Sequence, residues 1–145
     1  MAANSRLTVA VHVLVWMALV HRRGRELVTS EQAAESVNTN PVVIRRCLGG
    51  LRDAGLVEVR HGAGAGWRLA RDPGEITLLE VLQAVEDEPL FGLHRNAPNP
   101  KCPVGAGIRP ALRQAYDEAE DAARSALGRT TIEDMLRETL AAPST

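Results

Sequence analysis

The chain has 145 residues, of which 45% are hydrophobic and 24% are charged. This balance is typical of a globular protein with a real core and excludes wholesale disorder. Only 3% of the residues are aromatic, so Val, Leu and Ala must form most of the core, which favours closely packed helices. Two cysteines are too few for a disulfide framework, and they predict a reducing, cytoplasmic setting.

One apolar run, from Leu7 to Val20, has a composition similar to that of a membrane segment. It is 14 residues long, whereas a membrane-spanning helix needs about 20. Three basic residues follow it at positions 21–23, where a signal peptide would have a small-residue cleavage site. We therefore expect a buried helix, no targeting segment and no membrane partner.

The charges are divided unevenly along the chain. The net charge is −1, but residues 1–72 carry ten Arg against six acidic residues, which leaves +4. Residues 73–145 carry seven basic against twelve acidic residues, which leaves −5. A basic first half favours nucleic-acid binding, joined to an acidic segment with another role.

The first predicted elements are two helices. The first helix spans residues 5–22 and ends before Gly24, a residue typical of helix C-termini. The second opens at Thr29, which forms a capping box with Gln32, and ends near Val37.

A third helix and a hairpin follow. Asn40 is the predicted N-cap of the helix, and Pro41 occupies its first position, where a missing N–H costs nothing. Its inward stripe, at helical spacing, is Ile44, Cys47, Leu48 and Leu51. Residues 56–60 alternate as in a strand, 61–66 form a glycine-rich turn, and 67–69 are the returning strand. This order of elements is that of a winged helix-turn-helix.

The chain changes character after residue 72. Thr77 and Glu80 form a capping box, which predicts a helix that runs to Val85. Residues 86–107 contain four prolines and are predicted to be irregular.

A long helix is predicted from Pro110 to about Leu127, and Thr130 with Glu133 is the predicted cap of a last short helix. Small and apolar residues in and just before the long helix step by four and three, as in a heptad seam. They are Ile108, Leu112, Ala115, Ala119, Ala122 and Ala126. This seam either packs on its own domain or forms a homodimer. We favour the homodimer because the first helix, apolar on nearly every side, needs cover from more than one direction.

These elements predict a mainly α protein with a small β-hairpin wing, in which a winged helix-turn-helix domain is joined to a long C-terminal dimerisation helix. Residues 1–72 are the predicted DNA-binding domain, and their first helix also contributes to the dimer core. Residues 73–107 are the predicted linking helix and regulatory loop. Residues 108–145 are the predicted dimerisation helix and C-terminal helix.

The outward face of the third helix is the candidate DNA-reading surface. Asn can pair with adenine, Arg can pair with guanine, and Val can cover a thymine methyl group in the major groove. The candidate side chains are Asn40, Val42, Val43, Arg45 and Arg46. The hydroxyls of Thr29, Ser30 and Thr39 are candidate donors to phosphates. The alternative is a basic helix face that is merely solvated.

The hairpin supplies further candidates, namely Arg60, His61, Gly62 and Gly64. Small residues let the backbone lie close to a sugar-phosphate chain, and an Arg can enter a narrow minor groove. A strand follows these glycines where a dinucleotide-binding fingerprint requires a helix, which argues against that function. The glycines are equally compatible with a simple flexible hairpin.

The two cysteines are predicted to differ. Cys47 lies on the inward stripe of the third helix and is interpreted as a small core residue. Cys102 lies between Lys101 and Pro103, shortly before the long helix, whose positive end can lower its pKa. It is either a structural thiol or a regulatory one.

Four segments together resemble the Rrf2 family of bacterial transcriptional regulators: residues 37–46, the wing, residues 76–81 and the N-P-x-C-P-V-G loop at 99–105. The resemblance covers almost the whole chain and implies a dimeric winged-helix DNA binder. It also implies base contacts at Asn40, Val42, Val43 and Arg46, with Arg60 in the wing. Family members that bind an iron–sulfur cluster carry three cysteines in the loop before the dimerisation helix. Only Cys102 is present here, so we expect no cluster, no metal and no other cofactor.

The leading interpretation is a sequence-specific DNA-binding regulator, a repressor, that binds double-stranded DNA as a homodimer and responds to an unknown small-molecule or protein effector. The alternative is a winged-helix module that binds a protein without DNA affinity. The sequence contains no nucleophile–base pair, metal-ligand spacing or phosphate loop, and it does not favour an enzyme.

Overall fold

The computed structural model describes residues 5–143. Its elements, in chain order, are α1 (Ser5–Arg22), α2 (Ser30–Val37), α3 (Pro41–Asp53), β1 (Val57–Arg60), β2 (Gly66–Leu69), a 3-10 turn (Pro73–Glu75), α4 (Leu78–Val85), α5 (Pro103–Leu127) and α6 (Ile132–Ala141). The fold is mainly helical with one hairpin, as predicted. The chain forms two compact units, one of residues 5–87 with 127–143 and one of residues 88–126.

Helix α1 is the centre of the first unit. It packs against α2, α3, α4 and α6, which explains why its sequence is apolar on nearly every side. Leu14 of α1 is fully buried together with Ile44, Leu48, Ile76 and Leu136 from three other segments. Burial of this kind is the main source of stability for a small domain. None of the helices in the described range is long and apolar enough to cross a membrane.

The hairpin is tied to the helices at its base. Strands β1 and β2 pair antiparallel, with Arg60 opposite Gly66. The N–H of Val28 donates to the carbonyl of Trp67 at 2.9 Å, and the N–H of Trp67 donates back at 2.7 Å. A Cβ at Gly66 would lie 2.9 Å from the Cβ of Leu27, so only glycine fits where the second strand begins.

The predicted starts of α2, α3 and α4 are confirmed. Thr29 and Thr77 each accept a hydrogen bond from the backbone three residues on and form complete capping boxes. Asn40 accepts from the N–H of Val42 at 2.8 Å, and Pro41 is the first residue of α3.

The predicted cap of the last helix is wrong by one residue. The capping box of α6 is formed by Thr131 and Asp134, not by Thr130 and Glu133. The carbonyl of Thr130 accepts from the N–H of Leu78 at 2.9 Å, which places Thr130 outside the helix. The carboxylate of Glu133 pairs instead with an arginine of α1. Tertiary contacts therefore determine which of two neighbouring threonines caps α6.

The long helix of the second unit begins earlier than predicted. It starts at Pro103 rather than at Pro110, and it continues through Pro110. The N–H of Cys102 donates to the carbonyl of Asn99 at 3.3 Å in a turn that leads into the helix. Pro103 then occupies the first helical position, where its missing N–H costs nothing. A Cβ at Gly105 would lie 2.1 Å from the Asn99 oxygen, so the turn requires glycine there.

The loop of the second unit is held to α5 by specific contacts. The rings of Phe91 and Tyr116 stack with centroids 5.3 Å apart. The N–H of Leu90 donates to the carboxylate of Glu120 at 2.6 Å, and Arg109 donates to two loop carbonyls. The predicted irregular region is thus an ordered loop over residues 86–102.

The compact units divide the chain differently from the three predicted segments. Helix α4, in the predicted linker 73–107, packs against α1 and α3 of the first unit. Helix α6, in the predicted dimerisation segment 108–145, packs against α1 in the same unit. The roles assigned to the three segments stay predictions.

Candidate nucleic-acid interface

The connection between α2 and α3 presents one end of α3 at the surface. Asn38 ends α2 in the left-handed conformation, with φ of 63°. An Asn tolerates this conformation better than most residues, and it reverses the chain within a short turn. Asn40 then caps α3 through its side-chain oxygen, so its amide N–H₂ group remains free to donate.

The exposed end of α3 carries the predicted reading residues. Val42 and Val43 are 51% and 44% exposed, which is unusual for large apolar side chains. The next residue, Ile44, is fully buried. Arg45 pairs with Glu31 of α2 at 3.3 Å. Arg46 has no acidic side chain within ion-pair distance in the range 5–143 and is exposed. The free guanidinium at this end of the helix is therefore that of Arg46.

The wing places a second free arginine at the surface of the same unit. Arg60 and His61 are exposed, and Arg60 likewise lacks an ion pair among residues 5–143. Gly62 and Gly64 have φ of 85° and 71°, a conformation that favours glycine and closes the tight turn. The other arginine of the hairpin, Arg68, is neutralised on both sides, by Glu58 at 2.9 Å and Glu26 at 3.2 Å.

The three predicted hydroxyl donors have different surroundings. Thr29 is exposed at the start of α2, and its oxygen caps the helix. Thr39 is half-buried in the turn before α3. Ser30 is only 7% exposed, and its hydroxyl donates to Glu31 at 3.3 Å. Ser30 was predicted to donate to phosphates, but it does not lie on the exposed surface, because the first turn of α2 directs its side chain inward.

The two cysteines have opposite environments. Burial raises the pKa of Cys47 to about 11, consistent with the predicted inward position. Cys102 is exposed just before α5, and the backbone N–H groups of Gly105 and Val104 lower the pKa of its thiol. The sequence indicated an effect of the helix end, and the structure identifies the two donors.

The predicted seam lies along α5, a helix without a buried residue. Its first two members, Ile108 and Leu112, are half-buried within their own unit. The four alanines of the seam, at positions 115, 119, 122 and 126, are exposed. A row of exposed small side chains allows another helix to approach closely.

Comparison with known proteins identifies the family. Residues 3–138 match the family model named Rrf2, described as an iron-dependent transcriptional regulator. The chain belongs to the Rrf2 family. YwnA of Bacillus subtilis (strain 168), an HTH-type transcriptional regulator by name, is 40% identical over 134 residues, which are 92% of this chain and 96% of YwnA.

Solved structures agree with the fold. A crystal structure described as that of a DNA-binding protein is 35% identical, with a TM-score of 0.70, and the match covers 90% of this chain and 98% of that one. CymR, the global cysteine regulator of B. subtilis, has a TM-score of 0.70 at 21% identity, with 95% and 98% of the two chains covered. This Rrf2 protein is a winged-helix, DNA-binding transcriptional regulator, and DNA is its partner.

The family description names iron, but the donor side chains within residues 5–143 do not form an iron site. In the described part of the chain, no group of three His, Cys, Asp or Glu side chains is arranged to hold a metal ion. Cys102 is one exposed thiol in the second unit, and Cys47 lies in the core region of the first. A cluster held by cysteines needs several thiolates around one centre.

Proposed function

We propose that this Rrf2 protein is a sequence-specific repressor that binds a near-palindromic operator as a homodimer in the cytoplasm, without a cofactor and without enzymatic activity. The observation that carries the proposal is the exposed end of α3, where Arg46 lies beside two exposed valines. In the wing, Arg60 at the end of β1 forms no ion pair within residues 5–143. A helix end of this composition suits the major groove, and the wing arginine suits the backbone or the minor groove.

The direct test is a gel-shift series with the DNA that flanks the gene of this protein, in the presence of reductant. A specific complex is expected at low salt, and its affinity should fall steeply as salt rises because bound arginines release counterions from phosphates. Absence of any specific complex would refute DNA readout and favour the alternative, a protein-binding winged-helix module.

Arg46→Ala should weaken operator binding by about 1–3 kcal/mol and relax the base preference at one position of each half-site. The matched control is Arg129→Ala, which removes an exposed arginine from the turn between α5 and α6. Binding of each variant to a library of single-base operator variants measures the loss of affinity and the change in base preference. Equal loss on every DNA sequence would show that Arg46 contacts only phosphate.

The homodimer rests on the exposed alanines of α5, since a second copy of the same seam would cover them with closely packed helices. Twofold symmetry in the protein requires twofold symmetry in the operator, with half-sites separated by whole turns of DNA.

We further propose that the Cys102 loop modulates operator binding. A lowered pKa and an exposed position make Cys102 the more reactive thiol. Attack of its thiolate on hydrogen peroxide would break the O–O bond and give sulfenic acid and hydroxide.

The two thiols should therefore differ in reactivity. At pH 8 we expect Cys102 to be alkylated at least about 100-fold faster than Cys47, because two pKa units change the thiolate fraction by that factor, and Cys47 has a pKa of about 11. Rates for Cys47→Ser and Cys102→Ser, followed by mass spectrometry from pH 6 to 11, measure the difference. Operator affinity of wild type and Cys102→Ser with and without peroxide then tests regulation. An unchanged affinity in both proteins would make Cys102 structural.

A further inference from the structure

A cavity of about 430 Å³ lies in the first unit, between the N-terminal turns of α1, the middle of α3 and the C-terminal end of α4. This volume is in the range of small-molecule sites, which run from about 300 to 1,000 Å³. The described residues that line it all belong to the first unit.

The interior of the cavity is apolar. Its walls include Val9 of α1, Val43 and Cys47 of α3, and Val85 of α4. The pKa of about 11 keeps Cys47 a neutral thiol at physiological pH, so it contributes a small hydrophobic surface. Such walls suit a short hydrocarbon body rather than a strongly hydrated ion.

Among the described residues, the charged side chains that line the cavity are two cations, Arg6 of α1 and Arg46 of α3. Both are exposed, and neither appears in an ion pair within residues 5–143. An arginine presents a planar fork of donors that matches a carboxylate. Apolar walls together with two guanidinium groups are complementary to a small amphipathic anion.

One face of α3 links the cavity to the reading surface. Val43, Arg46, Cys47 and Gly50 follow the i, i+3, i+4, i+7 spacing and therefore share a face. A Cβ at Gly50 would lie 3.4 Å from the carbonyl of Ala84, so α4 approaches α3 closely there. Val43 and Arg46 thus belong both to the cavity wall and to the predicted DNA contact.

We propose that this cavity binds a small organic anion, a monocarboxylate with a short aliphatic body, and that the bound carboxylate engages Arg46 and thereby weakens operator binding. The coupling to DNA rests on the proposed function, because it requires that Arg46 contact the operator. Binding of the anion itself does not depend on DNA. A ligand and an operator that compete for one guanidinium reduce each other's affinity by the same factor.

Binding is tested first without DNA. Sodium salts of straight-chain monocarboxylates from acetate to octanoate are titrated into the full chain, with the matching primary alcohols as controls, and the methyl groups are followed by NMR. We expect saturable shifts at Val9, Val43 and Val85, with an optimum at intermediate chain length, and weaker binding of the alcohols by about 10-fold or more, since they lack the charge-assisted bonds. No saturable shift at these methyls, or equal binding of alcohols, would overturn the proposal.

Variants then locate the anion. Arg6→Gln should weaken binding of the best carboxylate by about 10-fold, whereas Arg23→Gln, which removes an exposed charge just after the other end of α1, should leave it unchanged. Val85→Phe should reduce binding by filling the cavity, and its thermal midpoint shows whether it folds. If Arg6→Gln and Arg23→Gln behave alike, the cavity does not recognise the anion.

Coupling is tested last, by operator affinity with and without the best carboxylate, each protein normalised to its own affinity without ligand. We expect wild type to lose affinity and Arg6→Gln to lose less at the same concentration. Carboxylate binding without any change in operator affinity would overturn the coupling while the binding site stands. A wild-type protein that binds no operator even without carboxylate would refute the proposed function, and the NMR titration would still decide the cavity.

Discussion

The two compact units are built on different principles. In the first, residues from α1, α3, α4 and α6 surround one another, and side chains such as Leu14, Ile44 and Leu136 are fully buried. In the second, α5 has 25 residues and none of them is buried. Its loop is attached by ring stacking and hydrogen bonds rather than by a core. The first unit therefore has a core of its own, whereas the long helix leaves its surface uncovered within the described chain.

The largest effect is expected from a truncation in the first unit. Leu14→Ala should lower the free energy of unfolding by about 3–5 kcal/mol, because it removes a fully buried side chain and leaves a cavity. The matched change in the second unit is Leu112→Ala, at a half-buried position of α5, which should cost clearly less. Urea denaturation of both variants measures the difference. Equal losses would contradict the distinction between a unit with a core and one without.

A charge on the seam should affect assembly more than folding. Ala119→Arg places a cation at the middle of the exposed alanine row and should convert the proposed dimer to a monomer, as measured by light scattering. Loss of the second half-site should then reduce operator affinity on the order of 100-fold, since linked sites gain about that factor or more. Glu118→Arg, on the same helix but off the seam, is the control. A dimeric Ala119→Arg protein would place the interface elsewhere.

The smallest expected effect is a difference in unfolding free energy between alanine substitutions at two neighbouring threonines of the first unit. Thr131→Ala should cost about 1 kcal/mol of unfolding free energy because its hydroxyl caps α6. Thr130→Ala should cost little, since Thr130 forms its hydrogen bonds there through its backbone N–H and carbonyl, which alanine retains. Thermal or urea unfolding resolves the two. The reverse order would restore the cap predicted from sequence.

Local chemistry made much of the first unit predictable. Thr29 with Gln32, and Asn40 with Pro41, act within four residues of chain, so their pattern determines where α2 and α3 begin. The winged-helix order of elements followed from these starts and from the glycine-rich turn. The family model that matches residues 3–138 confirmed the resemblance.

The predictions from sequence were wrong mainly where contacts with residues distant in the chain determine the local structure. Thr130 and Thr131 both fit a capping pattern, and the choice depends on Leu78, more than 50 residues away. Four prolines favoured a loop up to residue 107. The last of them, Pro103, is instead the first residue of α5, where its missing N–H is harmless. The burial of Ser30 and the cavity between α1, α3 and α4 come from packing, which spacing alone does not reveal.

Gly66 separates the hairpin into a root and a tip with different freedom. At the root, any side chain would meet Leu27 and the backbone of Val28, so this point is clamped to the rest of the unit. At the tip, Gly62 and Gly64 have open space around them. Arg60 pairs with Gly66 at the root, so its backbone is held with the rest of the unit, and the room for movement lies in the tip at residues 61–65.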